Sequence, residues 1–138
     1  MRTPWRYIVA YLGAGLALAA LDSLWLTIAN ERLYRPTLHA ILTTGFRPAP
    51  AIVFYLIYLV GVTIFAIRPA INGRRWTIAP VMGALFGFFA YATYDLTNQA
   101  TLVVWATKIT VVDLTWGTFL TAAGATAGYF ASKLAGSR

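Results

Sequence analysis

The sequence predicts an all-α membrane protein, a bundle of four transmembrane helices, from its composition and from the grouping of its apolar residues. Hydrophobic residues make up 59% of the 138-residue chain, charged residues only 11%, and the mean hydropathy is +0.67. So few charges cannot cover a soluble globule of this size. The apolar residues form four long runs without the alternating pattern of barrel strands. We therefore expect a single domain, residues 1–138, that lies in lipid.

The four apolar runs lie near residues 7–29, 50–68, 77–97 and 110–132. A hydrocarbon core of roughly 30 Å requires about 20 helical residues for each crossing, which matches the length of each run. The first run is too long for the apolar region of a cleavable signal peptide, and no A-x-A-like site ends it. We expect it to be retained as the first helix.

The basic residues predict the orientation of these helices. Seven of the eleven lysines and arginines fall on the side that contains both termini, and four fall on the other side. This bias predicts that both termini lie in the cytoplasm. The formal net charge of +7 is then explained by contact with anionic membrane lipid, and no nucleic-acid partner is expected.

The chain has no cysteine and one histidine, His39. This composition excludes disulfides, thiolate chemistry, iron–sulfur clusters and haem ligation by two histidines of one chain. We predict no metal site, although one histidine together with three aspartates is an alternative set of ligands for a divalent cation. No motif indicates the identity of a cofactor.

Three carboxylates interrupt the apolar runs. Asp22 and Asp95 lie toward the outer ends of the first and third helices, and Asp113 lies near the outer start of the fourth. The predicted topology puts all three in one layer in the outer half of the bundle. An ionised carboxylate in the bilayer costs about 2.5 to 3.5 kcal/mol at the helix centre, and such residues usually mark a functional site. The alternative for Asp113 is a structural role as a helix N-cap.

Helical spacing places these carboxylates on closely packed faces. On the fourth helix, small or polar residues recur every three or four positions, which allows a neighbouring helix to approach closely. This stripe consists of Asp113, Gly117, Thr121, Gly124 and Gly128. On the third helix, Asp95 is expected to share its face with Tyr91, Gly87 and Ala84. On the first helix, Asp22 is expected to share its face with Ala19, Gly15 and Tyr11.

Further polar and aromatic residues at the same depth complete the predicted site. Tyrosine hydroxyls of the second helix can donate to the carboxylates, and a lysine in the third loop can pair with one of them. The predicted ligand- or ion-binding residues are Asp22, Asp95, Asp113, Asn98, Tyr91, Tyr55, Tyr58, Trp25, Trp116 and Lys108.

Two tryptophans follow aspartates at the same spacing. The pairs Asp22–Trp25 and Asp113–Trp116 share the pattern D-x-x-W. Because the two helices run in opposite directions, Trp25 lies outward of its aspartate and Trp116 lies inward. These depths do not match those of an inverted repeat. We expect Trp25, like Trp5, Trp76 and Trp105, to anchor its helix at the membrane interface, and its place in the site is the alternative.

The strings "LDSLWL", "YDLTNQATL" and "VDLTWGTFL" resemble the motifs of the DUF2177 family, small bacterial membrane proteins without an established activity. The resemblance extends over nearly the whole chain and implies four helices in the bacterial inner membrane. It draws attention to Asp22, Trp25, Asp95, Asn98, Asp113, Trp116 and Gly117.

Three classes of function remain open. The favoured class is a binding or transport protein, a homodimer, whose aspartates form a site for a small ligand, a cation or a proton. The second is a lipid-modifying enzyme, or its accessory protein, in which the carboxylates act as general acid and base. No nucleophile, metal triad or nucleotide loop supports an enzyme. The third is a small subunit of a larger membrane complex.

Overall fold

The computed structural model describes residues 3–43 and 45–136, and all regular structure in this part of the chain is helical. Two π-helical turns, Asn30–Tyr34 and Thr63–Ile67, connect consecutive helices without a break. Residues 3–43 and 45–136 therefore form four helical segments, and the all-α prediction is confirmed. The helices are α1 (Thr3–Ala29), α2 (Arg35–Leu38), α3 (Pro48–Val62), α4 (Arg68–Gly73), α5 (Ile78–Thr101) and α6 (Thr107–Gly136).

Judged by length and composition alone, two of the four segments are long and apolar enough to cross a membrane. They are Pro4–Leu38, which contains α1 and α2, and Pro48–Gly73, which contains α3 and α4. Helices α5 and α6 are of comparable length but contain more threonine, and α6 also contains more glycine, which lowers their hydropathy.

The first two segments continue beyond their predicted ends at residues 29 and 68. Each contains an Arg-Pro pair, at Pro36 and Pro69, just after its π-helical turn. A proline inside an α-helix lacks an N–H group and its ring clashes with the carbonyl four residues earlier. The wider π-helical turn gives room for the ring, and the residue before each proline bonds five residues back. The helix therefore continues where the sequence suggested a loop.

Helix α6 lies between α1 and α5 and runs antiparallel to both. The predicted stripe of small residues on α6 is buried. Gly128 of α6 meets the Ala10 backbone of α1, and Gly87 of α5 meets the Gly117 backbone of α6. Two other glycines of α6 meet larger side chains, Gly117 the ring of Tyr91 and Gly124 the side chain of Leu18. The absence of side chains at these positions allows the helix backbones to approach closely.

The buried face of α1 differs from the predicted one by a rotation of about one residue. The buried side is the one that contacts the small residues of α6, whereas the Tyr11 side faces α3, where its hydroxyl donates to the Leu56 carbonyl at 2.9 Å. On α5 the buried glycine next to Gly87 is Gly83, and Ala84 is only half-buried. The buried positions of α1 are Ala10, Ala14, Leu18 and Asp22, instead of Tyr11, Gly15 and Ala19.

Substitutions of Gly128 and Gly124 test the close contact of α1 with α6. A Cβ atom at Gly128 would lie 2.7 Å from the Ala10 carbonyl oxygen, which is backbone, whereas one at Gly124 would lie 2.9 Å from the Leu18 side chain. We expect Gly128→Ala to lower the free energy of unfolding by about 1 to 3 kcal/mol, the usual cost of overpacking, and Gly124→Ala to cost less. Leucine should cost more than alanine at both positions. Thermal unfolding in mild detergent measures this order, and equal stability of all variants and wild type would contradict the contact.

Candidate functional site

A cavity of about 610 Å³ lies where α1 and α5 finish and where α3 and α6 begin. We call it the acidic cavity, because Asp22 and Asp113 are the two ionisable carboxylates in its wall. Its remaining surface is mostly apolar, and Phe46, 79% exposed, stands at its rim. Aromatic residues make up about half of the described wall, namely Trp25, Tyr34, Phe46, Phe54, Tyr91, Tyr94, Trp105 and Trp116.

Asp22 of α1 has hydrogen-bond donors on both carboxylate oxygens. The Tyr55 hydroxyl of α3 donates to Oδ2, and the Trp116 indole N–H of α6 donates to Oδ1 at 3.1 Å. The carboxylate is 7% exposed. Three helices therefore converge on one carboxylate, and the predicted donor Tyr55 is one of its partners.

Asp113 of α6 accepts a hydrogen bond from a residue that sequence reasoning missed. The Tyr34 hydroxyl donates to Asp113 Oδ1, and the Trp25 indole N–H donates to the Tyr34 oxygen at 3.1 Å. Tyr34 ends the π-helical turn after α1, beyond the predicted end of the first helix. Asp113 is not an N-cap, since α6 begins six residues earlier, at Thr107. Its carboxylate instead lies within the helix and lines the cavity.

Asp95 of α5 is fully buried behind the cavity wall. Its side chain is 0% exposed, and its carboxyl group faces that of Asp113 within hydrogen-bonding reach. Two ionised carboxylates can only accept hydrogen bonds, so a bond between them requires a proton on one of the two. With both ionised, neither Asp95 oxygen has a hydrogen-bond partner among the described residues.

The two D-x-x-W motifs meet in the folded chain. The rings of Trp25 and Trp116 stack, with centroids 4.7 Å apart and planes 10° from parallel. Because α1 and α6 are antiparallel, Asp22 lies about 4.5 Å along the axis on one side of this pair and Asp113 about 4.5 Å on the other. The three carboxylates therefore occupy two levels rather than the predicted single layer, with Asp95 beside Asp113.

Three of the predicted residues do not join this group. The Tyr58 hydroxyl bonds to Thr121 of α6 at 2.7 Å instead of to a carboxylate. Asn98 is half-buried one turn after Tyr94 and does not line the cavity. Lys108 is exposed at the start of α6 and pairs with none of the described acids.

A second polar group, also missed from the sequence, fixes the connection between α5 and α6. The Gln99 amide N–H donates to Thr107 at 3.0 Å, and its oxygen accepts from Thr110 at 2.6 Å. The Trp105 indole N–H donates to Thr110 at 3.0 Å, which holds this ring in the cavity wall. Helical spacing could have indicated that Gln99 faces the neighbouring helix, since Gln99 is four residues after Asp95 and lies on the same face of α5.

The described residues contain no group of three histidine, cysteine or acidic side chains that could hold a metal ion. His39 is exposed, and its ring Nδ1 lies 3.4 Å from the carbonyl oxygen of Pro36, three residues earlier. The alternative of a divalent cation held by His39 and the aspartates thus has no support in the geometry.

The fold and the site define a helical membrane protein with an aromatic cavity that contains carboxylates. The chain belongs to the DUF2177 family, described as a predicted membrane protein, which matches residues 7–130. The resemblance of its three motifs to this family is thereby confirmed. Searches of curated proteins and of solved structures found no match.

Proposed function

We propose that this protein crosses the bacterial inner membrane four times and binds a small organic cation in the acidic cavity, as a carrier or a binding protein. One observation supports this most strongly. Asp22 and Asp113, 7% and 9% exposed, stand in a wall of aromatic rings. No lysine, arginine or histidine is among the described residues that line this cavity.

Negative charge without a basic partner in a low-dielectric site favours a cationic ligand. Burial of unpaired carboxylates is costly, and an incoming cation offsets that cost. The faces of tryptophan and tyrosine rings attract cations, and quaternary ammonium groups are recognised in aromatic cages of this kind. Trp25 and Trp116 stack on each other between the two carboxylates, so each ring has one face covered by the other and can offer only its second face.

The size and the rim of the cavity favour an organic cation with an apolar part. A volume of about 610 Å³ is in the range of small-molecule sites and far exceeds the needs of a bare ion. Apolar side chains at the rim are exposed, by 79% for Phe46, 46% for Phe54 and 45% for Leu26. Such a rim suits entry from the lipid.

Four crossings are supported by the lengths of the two less apolar helices. Helix α5 has 24 residues and α6 has 30, which correspond to about 36 Å and 45 Å at 1.5 Å per residue. Both exceed the roughly 30 Å of hydrocarbon. Three of their polar residues face other helices instead of lipid, since Asp95, Asp113 and Thr121 are buried.

The basic residues support cytoplasmic termini, and reporter fusions test this topology. Seven of eleven basic residues lie on the side of the termini, so we expect a C-terminal green fluorescent protein to fluoresce and a C-terminal alkaline phosphatase to be inactive. A fusion in the loop near residue 45 should give the opposite pattern. An active C-terminal phosphatase would contradict the topology and move the acidic cavity to the cytoplasmic half of the membrane.

Native mass spectrometry in mild detergent distinguishes the three classes of function. With added benzyltrimethylammonium, we expect one adduct per chain. We also expect a homodimer, because four helices are too few to enclose a wide transport pathway within one chain. An intact lipid retained without adduct formation would favour the lipid-modifying enzyme or its accessory protein. A second polypeptide retained without adduct formation would favour the subunit of a larger complex.

A further inference from the structure

We propose that Asp95 and Asp113 hold one proton between them and that a cation bound at Asp113 releases this proton, so that the cavity exchanges one cation for one proton. This inference rests on the proposed function and assigns separate roles to the two carboxylates. Asp113 contacts both the cavity and Asp95, whereas Asp95 contacts only the buried side.

The geometry of the pair is the first support. Asp95 is 0% exposed, and among the described residues no hydrogen bond reaches either of its oxygens when both groups are ionised. Its carboxyl group faces that of Asp113, whose Oδ1 already accepts from Tyr34. A proton between the two carboxyl groups supplies the missing hydrogen bond, and like charges this close disfavour ionisation of both.

Among the residues that the structure describes, none near the pair carries a positive charge that could take the place of a proton. The titratable groups that act on it are the Tyr34 hydroxyl from the π-helical turn, the Tyr91 and Tyr94 hydroxyls from α5 and the Asp22 carboxylate from α1. Three are neutral phenols and the fourth is acidic. A cation in the cavity is therefore the positive charge that can replace the proton.

The exchange leaves the charge of the site unchanged. When the cation reaches Asp113, the O–H bond of the carboxylic acid breaks, its electron pair stays on the oxygen, and the proton leaves to water in the cavity. One positive charge enters and one leaves. Asp22 does not take part, because Tyr55 and Trp116 donate to both of its oxygens, which stabilises the anion without a second carboxyl group.

Titration calorimetry of benzyltrimethylammonium in detergent measures the exchange directly. Repeating the titration in two buffers with different enthalpies of protonation gives the number of protons released per cation bound. We expect close to one for wild type, with an affinity that rises about tenfold per pH unit while the pair is protonated. Asp95→Asn should still bind the cation, but with almost no proton release and with an affinity independent of pH. Glu31→Gln, an exposed acid at the same end, should behave as wild type.

Infrared difference spectra of the wild-type protein give a test that does not depend on the folding of a variant. Addition of benzyltrimethylammonium should remove the carbonyl band of a protonated carboxylic acid and add carboxylate bands. Binding to wild type without proton release and without this change would overturn the exchange and leave the proposed function standing. Absence of binding at every pH would overturn both.

Discussion

Asp113→Asn is expected to weaken the binding of benzyltrimethylammonium by about 30-fold or more, while the protein remains folded. Loss of one partner of a buried charge pair costs about 2 kcal/mol or more, which corresponds to that factor. Asparagine keeps the shape and an acceptor oxygen for Tyr34, whose hydroxyl bonds Asp113 Oδ1, and its N–H₂ group can donate to Asp95. The substitution therefore removes the charge with little change in the hydrogen bonds.

Two further variants make the effect at Asp113 specific. Glu31→Gln removes a negative charge at the same end of the helices from an exposed side chain, so it should leave the affinity close to that of wild type. Asp22→Asn should also lose affinity, because it removes the second charge of the wall, while its oxygen can still accept from Trp116 and its N–H₂ group can donate to the Tyr55 hydroxyl. Equal affinity of Asp113→Asn and wild type, measured by calorimetry at one pH, would exclude Asp113 from the site.

Gly117→Ala is expected to lower the free energy of unfolding by about 1 to 3 kcal/mol or more, the usual cost of overpacking. It is also expected to reduce the affinity for the cation. The ring of Tyr91 packs directly on the Gly117 backbone, and a Cβ atom there would overlap three of its ring carbons. Because Tyr91 also lines the acidic cavity, its displaced ring would enter the space for the ligand. Thermal unfolding and calorimetry measure the two effects.

A double-mutant cycle identifies the clash with Tyr91 as the cause. Tyr91→Ala should destabilise wild type but restore part of the stability of Gly117→Ala, because it removes the ring that the new methyl group meets. Gly45→Ala is the matched control, since a Cβ atom there has no neighbour within 4 Å. Additive effects of Gly117→Ala and Tyr91→Ala would contradict the packing described for α5 and α6.

The helices were largely predictable from the sequence, and their ends were not. Apolar runs determine which residues are helical in lipid, and the small-residue stripe of α6 indicated its buried face. Hydropathy alone placed the end of the first helix at residue 29, whereas the π-helical turn continues it to Leu38. The Arg-Pro pair at Pro36 does not reveal this continuation, because a helix usually ends before a proline and a π-helical turn is rare.

The acidic residues of the candidate site could be predicted from the sequence, whereas their hydrogen-bond partners were harder to predict. A carboxylate in an apolar run carries a strong signal, because its insertion is costly. The partners depend on rotation about each helix, where one residue changes the direction by about 100°. Tyr55 and Tyr58 lie one turn apart, yet Tyr55 reaches Asp22 and Tyr58 reaches Thr121 of α6.

The meeting of the two D-x-x-W motifs could not be derived from depth arguments. Considered as an inverted repeat, the motifs do not match, because Trp25 lies outward and Trp116 inward of the preceding aspartate. In the fold this same opposition brings the two rings to one level, where they stack at 4.7 Å. The signal was present in the spacing, and its meaning required the antiparallel contact of α1 with α6.

The most direct test of the central claim, that the acidic cavity binds an organic cation, compares two ligands of one shape. Benzyltrimethylammonium and neopentylbenzene differ only in a charged nitrogen in place of a carbon. Calorimetric titration of both into the wild-type protein in the same detergent should give saturable binding of the cation, with one site per chain, and at least 30-fold weaker binding of the neutral compound. Equal binding of the two compounds, or none of the cation, would contradict the claim.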